Sequence, residues 1–529
     1  MDDTDAGTTM CFPFGNRYNK VDKRYKFTKR TDFTTLGAQY PIHETKRVRQ
    51  YYMSCMVHPY QKRCSTMSNT SSSNVKSIFP GDLLPDVVLL TIFKYMHPLD
   101  LINGVSTVSK RWNKLVNTPS NYRNVRVIVD EDSVRSGSAK AFLHKAAMCI
   151  RELCLDYETK VSPGCLTMIL PECMPNVTVL DIGLIDDVKT NIDRLITCFP
   201  NVEILNMDHV GNMDEESLMK LISQNAFLRL RRFYLNLDWD LRHYAFTKLI
   251  SWDRPLEVLR FQGTSEPNFR GLERAPFIPT LTELYLHQVY LDNPCYAVIG
   301  QLKNLKKLSI ISSIGTPDEE LLRLKNLSNL EHFHMDCCGQ DCDFSPMGVA
   351  ELFRLPNENP SNFFPYRLKY LRFSDCYYLD EESVPELIKS CPELESLNIT
   401  RDEFMGEEAF AMIIKNLKKL RFLDARELGE MRCDALRHLS NEDLPELQFL
   451  ALSEKQIEQT ILEELSKERP KLIISNRRNY IINWREQDGE LLVNNQFEGD
   501  LNAVLNDLCE MEGFCCMDSF TAYPCGEED

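Results

Sequence analysis

Residues 391–399 read Cys391-Pro392-Glu393-Leu394-Glu395-Ser396-Leu397-Asn398-Ile399. Leu394, Leu397 and Ile399 stand in the order apolar-x-x-apolar-x-apolar. The last two are two positions apart, the spacing at which a strand sends side chains to one face. The pattern recurs upstream at Ile150/Leu153/Leu155, Val177/Leu180/Ile182, Val202/Leu205/Met207 and Leu230/Phe233/Leu235. It continues at Leu256/Leu259/Phe261, Leu281/Leu284/Leu286, Leu305/Leu308/Ile310, Leu330/Phe333/Met335 and Leu368/Leu371/Phe373. Downstream it returns at Leu420/Leu423/Ala425 and Leu447/Leu450/Leu452. Successive copies lie about 24 to 28 residues apart, with one longer interval between Leu330 and Leu368.

The period and spacing resemble the leucine-rich repeat. The fold class implied is α/β: a horseshoe of about 12 repeats, with parallel strands on the concave side and helices outside. About 12 strands at ~4.8 Å spacing give an inner arc on the order of 55 Å, enough for a folded protein partner. Tyr122/Val125/Val127 are expected to open the array, and Leu472 to Ile474 to add a closing strand. The phrasing around Cys391, and Asp380-Glu381-Glu382-Ser383-Val384 before it, is similar to cysteine-containing repeats. Cys338 and Cys376 fall at the ninth repeat position, where Asn or Cys turns inward. The long interval contains Phe353, Pro356, Pro360, Phe363, Phe364 and Pro365, which places an inserted loop near 355–366. Such a loop is either a covered surface excursion or a partner-contacting element.

Ahead of the repeats, residues 83–96 read Leu-Leu-Pro-Asp-Val-Val-Leu-Leu-Thr-Ile-Phe-Lys-Tyr-Met. Pro85 suits a first helical position, and Val88, Leu89, Ile92, Phe93 and Met96 recur at helical spacing. Pro98 ends that helix, Leu101, Ile102 and Val105 make a second stripe, and Ser106 or Thr107 can cap a third helix carrying Trp112. Three short helices in about 40 residues cannot bury all of this surface among themselves, so part of it should face a partner or the next domain. Leu84-Pro85-Asp86, Ile92 to Met96, Pro98-Leu99-Asp100-Leu101, Val108-Ser109-Lys110-Arg111-Trp112 and Pro119 together resemble the F-box motif. Tyr122 stands where the family often has Trp, and Val87 where many members carry an acid. The resemblance implies docking on the Skp adaptor through Leu84, Pro85, Ile92, Leu101 and Trp112. Through that adaptor it implies attachment to the cullin and RING subunits of an SCF-type ubiquitin ligase. The chain would then be a non-catalytic substrate receptor that promotes ubiquitination and proteasomal degradation. The alternative is a ligase-independent repeat scaffold that uses this module only as a cap.

The remaining sequence divides around these two modules. Residues 1–78 are basic, with Lys20, Lys23, Arg24, Lys46 and Arg47, and end in a polar run from Ser65 to Ser77. They are expected to be a disordered arm and linker, either a solvated tail or a segment for nuclear import or an acidic partner. The F-box is placed at 79–125, the repeats at 126–475, and an acidic extension at 476–529. That extension has no Lys or Arg after Arg485 and ends in Glu527-Glu528-Asp529. The formal charge of −16 argues against a nucleic-acid partner. No apolar leader follows Met1, no stretch is apolar enough for a bilayer, and the 19 cysteines are odd in number. These features point to reduced thiols in the cytoplasm or nucleus, away from membranes.

Strand neighbours of the core-facing leucines should face the groove. They are Arg232, Tyr234, Arg260, Tyr285, His287, Lys307, His332, His334, Tyr370, Arg372 and Asn398. This set is basic and aromatic within an acidic chain, with Glu283 and Asp336 as exceptions, and suits an acidic or phosphorylated protein substrate. An acidic tail beside such a groove is positioned to self-inhibit.

No phosphate loop, dinucleotide glycine pattern or His-Glu-x-x-His occurs, and neither a cofactor nor catalytic residues are expected. His332, His334, Cys337, Cys338 and Cys342 invite a zinc reading, and thus a metal-sensor alternative. The repeat register separates them, since Cys338 should turn inward while the histidines face the groove. The tail cysteines Cys509, Cys515, Cys516 and Cys525 lack paired spacing, so no metal is expected there.

Overall fold

The computed structural model describes residues 49–52 and 84–475, apart from short stretches between elements. The longest of these stretches are 157–164, 237–247, 263–271, 312–317 and 337–344. The sequence-assigned Ser-rich linker and acidic extension, together with Cys337, Cys338, Cys342 and Cys376, lie outside the described residues.

Among the described residues, fifteen strands form one sheet whose spatial order equals the chain order. They are β1 (Arg49–Tyr52), β2 (Val125–Asp130), β3 (Glu152–Asp156), β4 (Val179–Asp181) and β5 (Ile204–Met207). Next come β6 (Arg232–Asn236), β7 (Val258–Gln262), β8 (Glu283–His287), β9 (Lys307–Ile311) and β10 (His332–Asp336). The last are β11 (Tyr370–Ser374), β12 (Ser396–Asn398), β13 (Phe422–Asp424), β14 (Phe449–Ala451) and β15 (Ile473–Ser475). Every neighbouring pair is parallel. Most crossovers carry a short helix, and successive helices pack on one another. This is the leucine-rich-repeat horseshoe.

Register explains why the repeat holds. Val127, Leu153, Leu180, Leu205, Phe233, Leu259, Leu284 and Leu308 pair in an unbroken row across the sheet. The row continues through Phe333, Leu371, Leu397, Leu423, Leu450 and Ile474, and every member is buried. One repeat alone has nothing to cover this face, whereas stacked repeats share a core. That core is continuous from Leu89 in the helical module to Ile474 on the last strand.

The corners between repeats are tied by a recurring asparagine, placed just before the first apolar position of its repeat. Asn176, Asn201, Asn304 and Asn329 donate their side-chain N–H to the carbonyls of Met148, Pro175, Pro279 and Lys303, at 2.6–2.9 Å. Each acceptor lies two residues before the matching apolar position one repeat earlier, so the bond satisfies a backbone oxygen at the turn.

The 355–366 insertion is anchored to the core. Phe364 is buried against Phe333, with ring centroids 5.5 Å apart, and against Phe353 at 6.3 Å. Pro365 is buried beside it, whereas Pro356 and Asn362 lie at the surface.

One finding corrects the expectation of a structureless arm through residue 78. Arg49–Tyr52 form β1, paired with Val125–Ile128 of β2. The helical module is therefore inserted between the first two strands of the sheet. Four residues without the apolar repeat pattern gave no signal of this; the edge of β2 supplies the pairing.

Candidate functional site: a helical docking face and a concave sheet face

The module consists of α1 (Asp86–Phe93), α2 (Pro98–Asn103) and α3 (Lys110–Val116). Ser109 caps α3 by accepting the Trp112 N–H at 3.1 Å. Arg111 holds α3 to the start of α1, donating Nε and Nη2 to Asp86 Oδ1 at 2.9 and 2.7 Å. Helix α1 is apolar on two faces. Leu89 and Phe93 are buried, and the Phe93 ring meets Trp112 edge-on at 5.4 Å. Val88 and Ile92, also one turn apart, are 41% and 44% exposed. Leu84, Val87, Tyr95 and Val108 are exposed as well. A helix apolar on both sides belongs between two surfaces, and among the described residues only the Leu89/Phe93 face is covered.

The module is fixed to the array. Lys145, on the helix Ser138–Ala146, donates to the carbonyl of Ile102, the Cys149 thiol donates to the carbonyl of Asn117 at 3.4 Å, and Tyr122 is fully buried. Burial pushes the Cys149 thiol up to about 11.

On the concave side the side chains also line up in rows. One row runs Asp181, Asn206, Tyr234, Arg260, Tyr285, Ser309, His334, Arg372, Asn398 and Asp424 from β4 to β13. Ser309 Oγ sits between His287 Nε2 at 3.3 Å and His334 Nδ1 at 3.2 Å. Burial drives both imidazoles well below their usual range, with Arg260 and Arg372 pushing His287 further and Arg372 and His287 pushing His334 further. They are neutral at pH 7, so the positive charge of this face comes from arginine and lysine. Lys307 faces Glu283 at 3.8 Å, and Arg372 faces Asp336 at 3.9 Å while donating Nε to Ser374 Oγ at 3.1 Å. Burial raises the Asp336 carboxyl, opposed by Arg372. His332 stacks on Tyr370 with centroids 5.7 Å apart.

Residues 82–127 match the F-box-like family. The helical module is an F-box-like domain. The sequence matches no curated protein. Among solved structures, the chain is similar to the Rad7 and Elc1 complex of yeast, at 16% identity and a TM-score of 0.38, over 74% of this chain and 93% of that one. It is similar to an internalin, InlF, of Listeria monocytogenes, at 15% identity and a TM-score of 0.35, over 64% of this chain and 83% of the other. A leucine-rich-repeat protein of Leptospira interrogans gives 17% identity and a TM-score of 0.35, over 73% and 97%.

In the F-box-like domain, the structure brings Leu84, Pro85 and Ile92 to the surface and leaves Trp112 half-buried against Phe93. Leu101 is a correction: it is 1% exposed and belongs to the core, because α2 packs inward on the helix Ser138–Ala146. Val87, Val88, Tyr95 and Val108 join the exposed face without having been assigned to it. For Val88 the signal in the sequence was the second apolar stripe of α1, which periodicity detects but cannot orient.

In the groove set, Arg232, Arg260, Lys307, His332 and Arg372 keep partial exposure. Tyr234, Tyr285, His287, His334, Tyr370 and Asn398 are buried, contrary to the expectation of open surface. Tyr234, Val258, Tyr285 and Tyr370 form a second apolar cluster, separate from the main core. Among the described residues no group of three or more His, Cys, Asp or Glu is arranged to hold a metal. No described helix is long and apolar enough to cross a membrane.

Proposed function

We propose that this chain is a substrate receptor of an SCF-type ubiquitin ligase. The observation that carries the reading is the exposed Leu84/Val88/Ile92/Tyr95 stripe on an F-box-like domain whose opposite face is packed into the array. Leu84, Val88 and Ile92 keep 37–44% of their surface exposed, so covering each adds at most roughly half of the ~1.5–3 kcal/mol of full burial, and the face favours an apolar partner surface, assigned to the Skp adaptor. The adaptor links to cullin and RING subunits, and the concave face holds a protein substrate. Arg232, Arg260, Lys307 and Arg372 suit acidic or phosphorylated segments, because guanidinium groups make bidentate charge-assisted bonds. Catalysis is by proximity: a fixed module and array hold the substrate near a charged conjugating enzyme, and no residue of this chain performs chemistry.

The test is co-expression with the Skp adaptor. Wild type should co-purify, whereas Leu84→Ala/Pro85→Ala and Val88→Asp/Ile92→Asp should not. If wild type also fails, residues 84–122 are only a cap, and the chain is a repeat scaffold without this ligase. For the groove, Arg232→Glu/Arg372→Glu should abolish substrate capture while leaving adaptor binding intact. Unchanged capture would remove the concave face from the reading.

A further inference from the structure

Lys303, Lys306, Arg323 and Arg367 lie between helices and the strands that follow them, on one edge of the horseshoe. All four are exposed, and among the described residues none forms an ion pair with a carboxylate. They are neighbours. Asn329 donates to the Lys303 carbonyl at 2.8 Å and accepts from Arg367 Nη1 at 3.1 Å. Gly300 has no room for a Cβ beneath the Arg323 carbonyl, which seats Arg323 against the turn leading to Lys303. Lys306 has Thr282 on one side and Glu331 on the other, and Glu331 already faces Lys369 at 3.6 Å. The positions equivalent to Lys306 in two other repeats are neutralised: Arg231 by Glu257 at 3.1 Å and Arg421 by Glu395 at 3.6 Å. Lys306 and its neighbours therefore keep an uncompensated positive field, at a cost in mutual repulsion, on a chain of net charge −16. The 355–366 insertion sits on the same edge. Its Phe364 N–H donates to the Lys325 carbonyl at 3.4 Å, two residues from Arg323, and Arg367 follows its last residue. Asn357, Asn359 and Asn362 of the insertion are exposed, and its only acid is Glu358.

We propose that this edge, with the insertion beside it, is a docking surface for a short acidic segment of a partner protein. The guanidinium groups of Arg323 and Arg367 suit bidentate bonds to carboxylates, and Lys303 and Lys306 add point charge. Side-chain amides of the insertion supply donors for the remaining carboxylate oxygens. The width of the patch selects the class of partner. From β9 to β11 is about 10 Å, a distance that three or four extended residues cover. Carboxylates return on either side, at Glu257 and Glu395. Duplex nucleic acid or an anionic bilayer would lay charge across many repeats and meet repulsion beyond the patch. The surface is independent of the ligase reading, because neither the exposed stripe of α1 nor Arg260 and Arg372 of the concave face takes part in it.

The probe is a short peptide of alternating aspartate and glutamate, added to the full chain at low salt with a zero-length carbodiimide cross-linker. Lys303 and Lys306 should couple to it several-fold more than Lys140, an exposed lysine on the helix Ser138–Ala146. Peptide mass spectrometry reads each lysine separately, so coupling to lysines before residue 48 does not enter the comparison. Arg323→Glu/Arg367→Glu keeps both lysines and should lower their coupling to the level of Lys140. Arg323→Lys/Arg367→Lys should retain most of it. At about 1 M salt, where the screening length falls to ~3 Å, the preference should vanish. Arg260→Glu/Arg372→Glu should leave the preference unchanged, which separates this surface from the substrate reading of the concave face. Equal coupling at Lys140, Lys303 and Lys306 in the wild type overturns the proposal. So does a preference that survives Arg323→Glu/Arg367→Glu, or one lost only in the concave-face variant. Displacement of the probe by duplex DNA or phosphatidylserine vesicles, but not by unlabelled peptide, would assign the edge to an extended polyanion and overturn the acidic segment.

Discussion

Arg126 on β2 reaches across β3 to Asp181 on β4, Nη2 to Oδ2 at 2.7 Å, with both side chains almost fully buried. The same carboxylate accepts the Gly183 N–H at 3.1 Å and the Cys154 thiol at 3.5 Å. One buried charge pair thus spans three adjacent strands at the F-box end of the array. Removing one partner strands the other charge in the interior, so Arg126→Ala should cost about 3–5 kcal/mol. Arg126→Met/Asp181→Leu should recover most of that loss. Urea denaturation of the three proteins measures both effects, and a double variant no better than the single would show that the pair is held for more than charge balance.

The two faces of α1 should separate binding from stability. Val88→Asp/Ile92→Asp lies on the exposed face and should leave the thermal midpoint nearly unchanged while abolishing adaptor capture. Leu101→Ala lies in the core and should destabilise by about 2–5 kcal/mol. Calorimetry beside a pull-down reads both, and a normal midpoint for Leu101→Ala would contradict the packing of α2.

The buried histidines should give the fold an acid sensitivity. His287 and His334 have folded pKa values well below 6.5, so below about pH 6.5 the unfolded chain takes up protons that the folded chain refuses. Their contribution is present above the unfolded pKa and is lost as pH falls. Asp336, whose carboxyl is raised, acts in the opposite sense at lower pH. The thermal midpoint should fall between pH 7.5 and 5.5, and His287→Gln/His334→Asn should flatten that slope. An equal slope in the variant would assign the sensitivity elsewhere.

Strand β1 covers an edge. Deleting residues 1–53 should expose the N–H and C=O groups of β2 and promote concentration-dependent self-association. Light scattering on the full and shortened chains measures it; a monodisperse shortened chain at high concentration would show that β1 is dispensable as a cover.

Thiol reactivity should follow burial. Burial pushes Cys198 up to about 11, and Cys391 and Cys433 up to about 12, while Cys173 is exposed. Since the thiolate is the nucleophile, iodoacetamide at pH 8 on the folded protein should label Cys173 well before those three. Peptide mass spectrometry after a timed quench gives the order.

The sequence by itself determined the strands from β3 to β14. The apolar-x-x-apolar-x-apolar spacing forces a strand, and about 25 residues between copies leaves room for one crossover only. It also marked the F-box-like stretch, whose residue types and spacing extend over some 40 positions. It did not reveal β1, because Arg49-Gln50-Tyr51-Tyr52 owes its strand to an edge elsewhere in the chain. It did not decide which stripe of α1 faces inward, because Leu89/Phe93 and Val88/Ile92 share one period and one chemistry. Contact with Trp112 chose between them, and the packing of α2 took Leu101 from the surface into the core. Alternation placed Tyr285, His334 and Tyr370 on the concave side, but their burial there depends on what lies beside and above them. Periodicity fixes the side of a sheet to which a residue points; only tertiary contact fixes whether that side meets water.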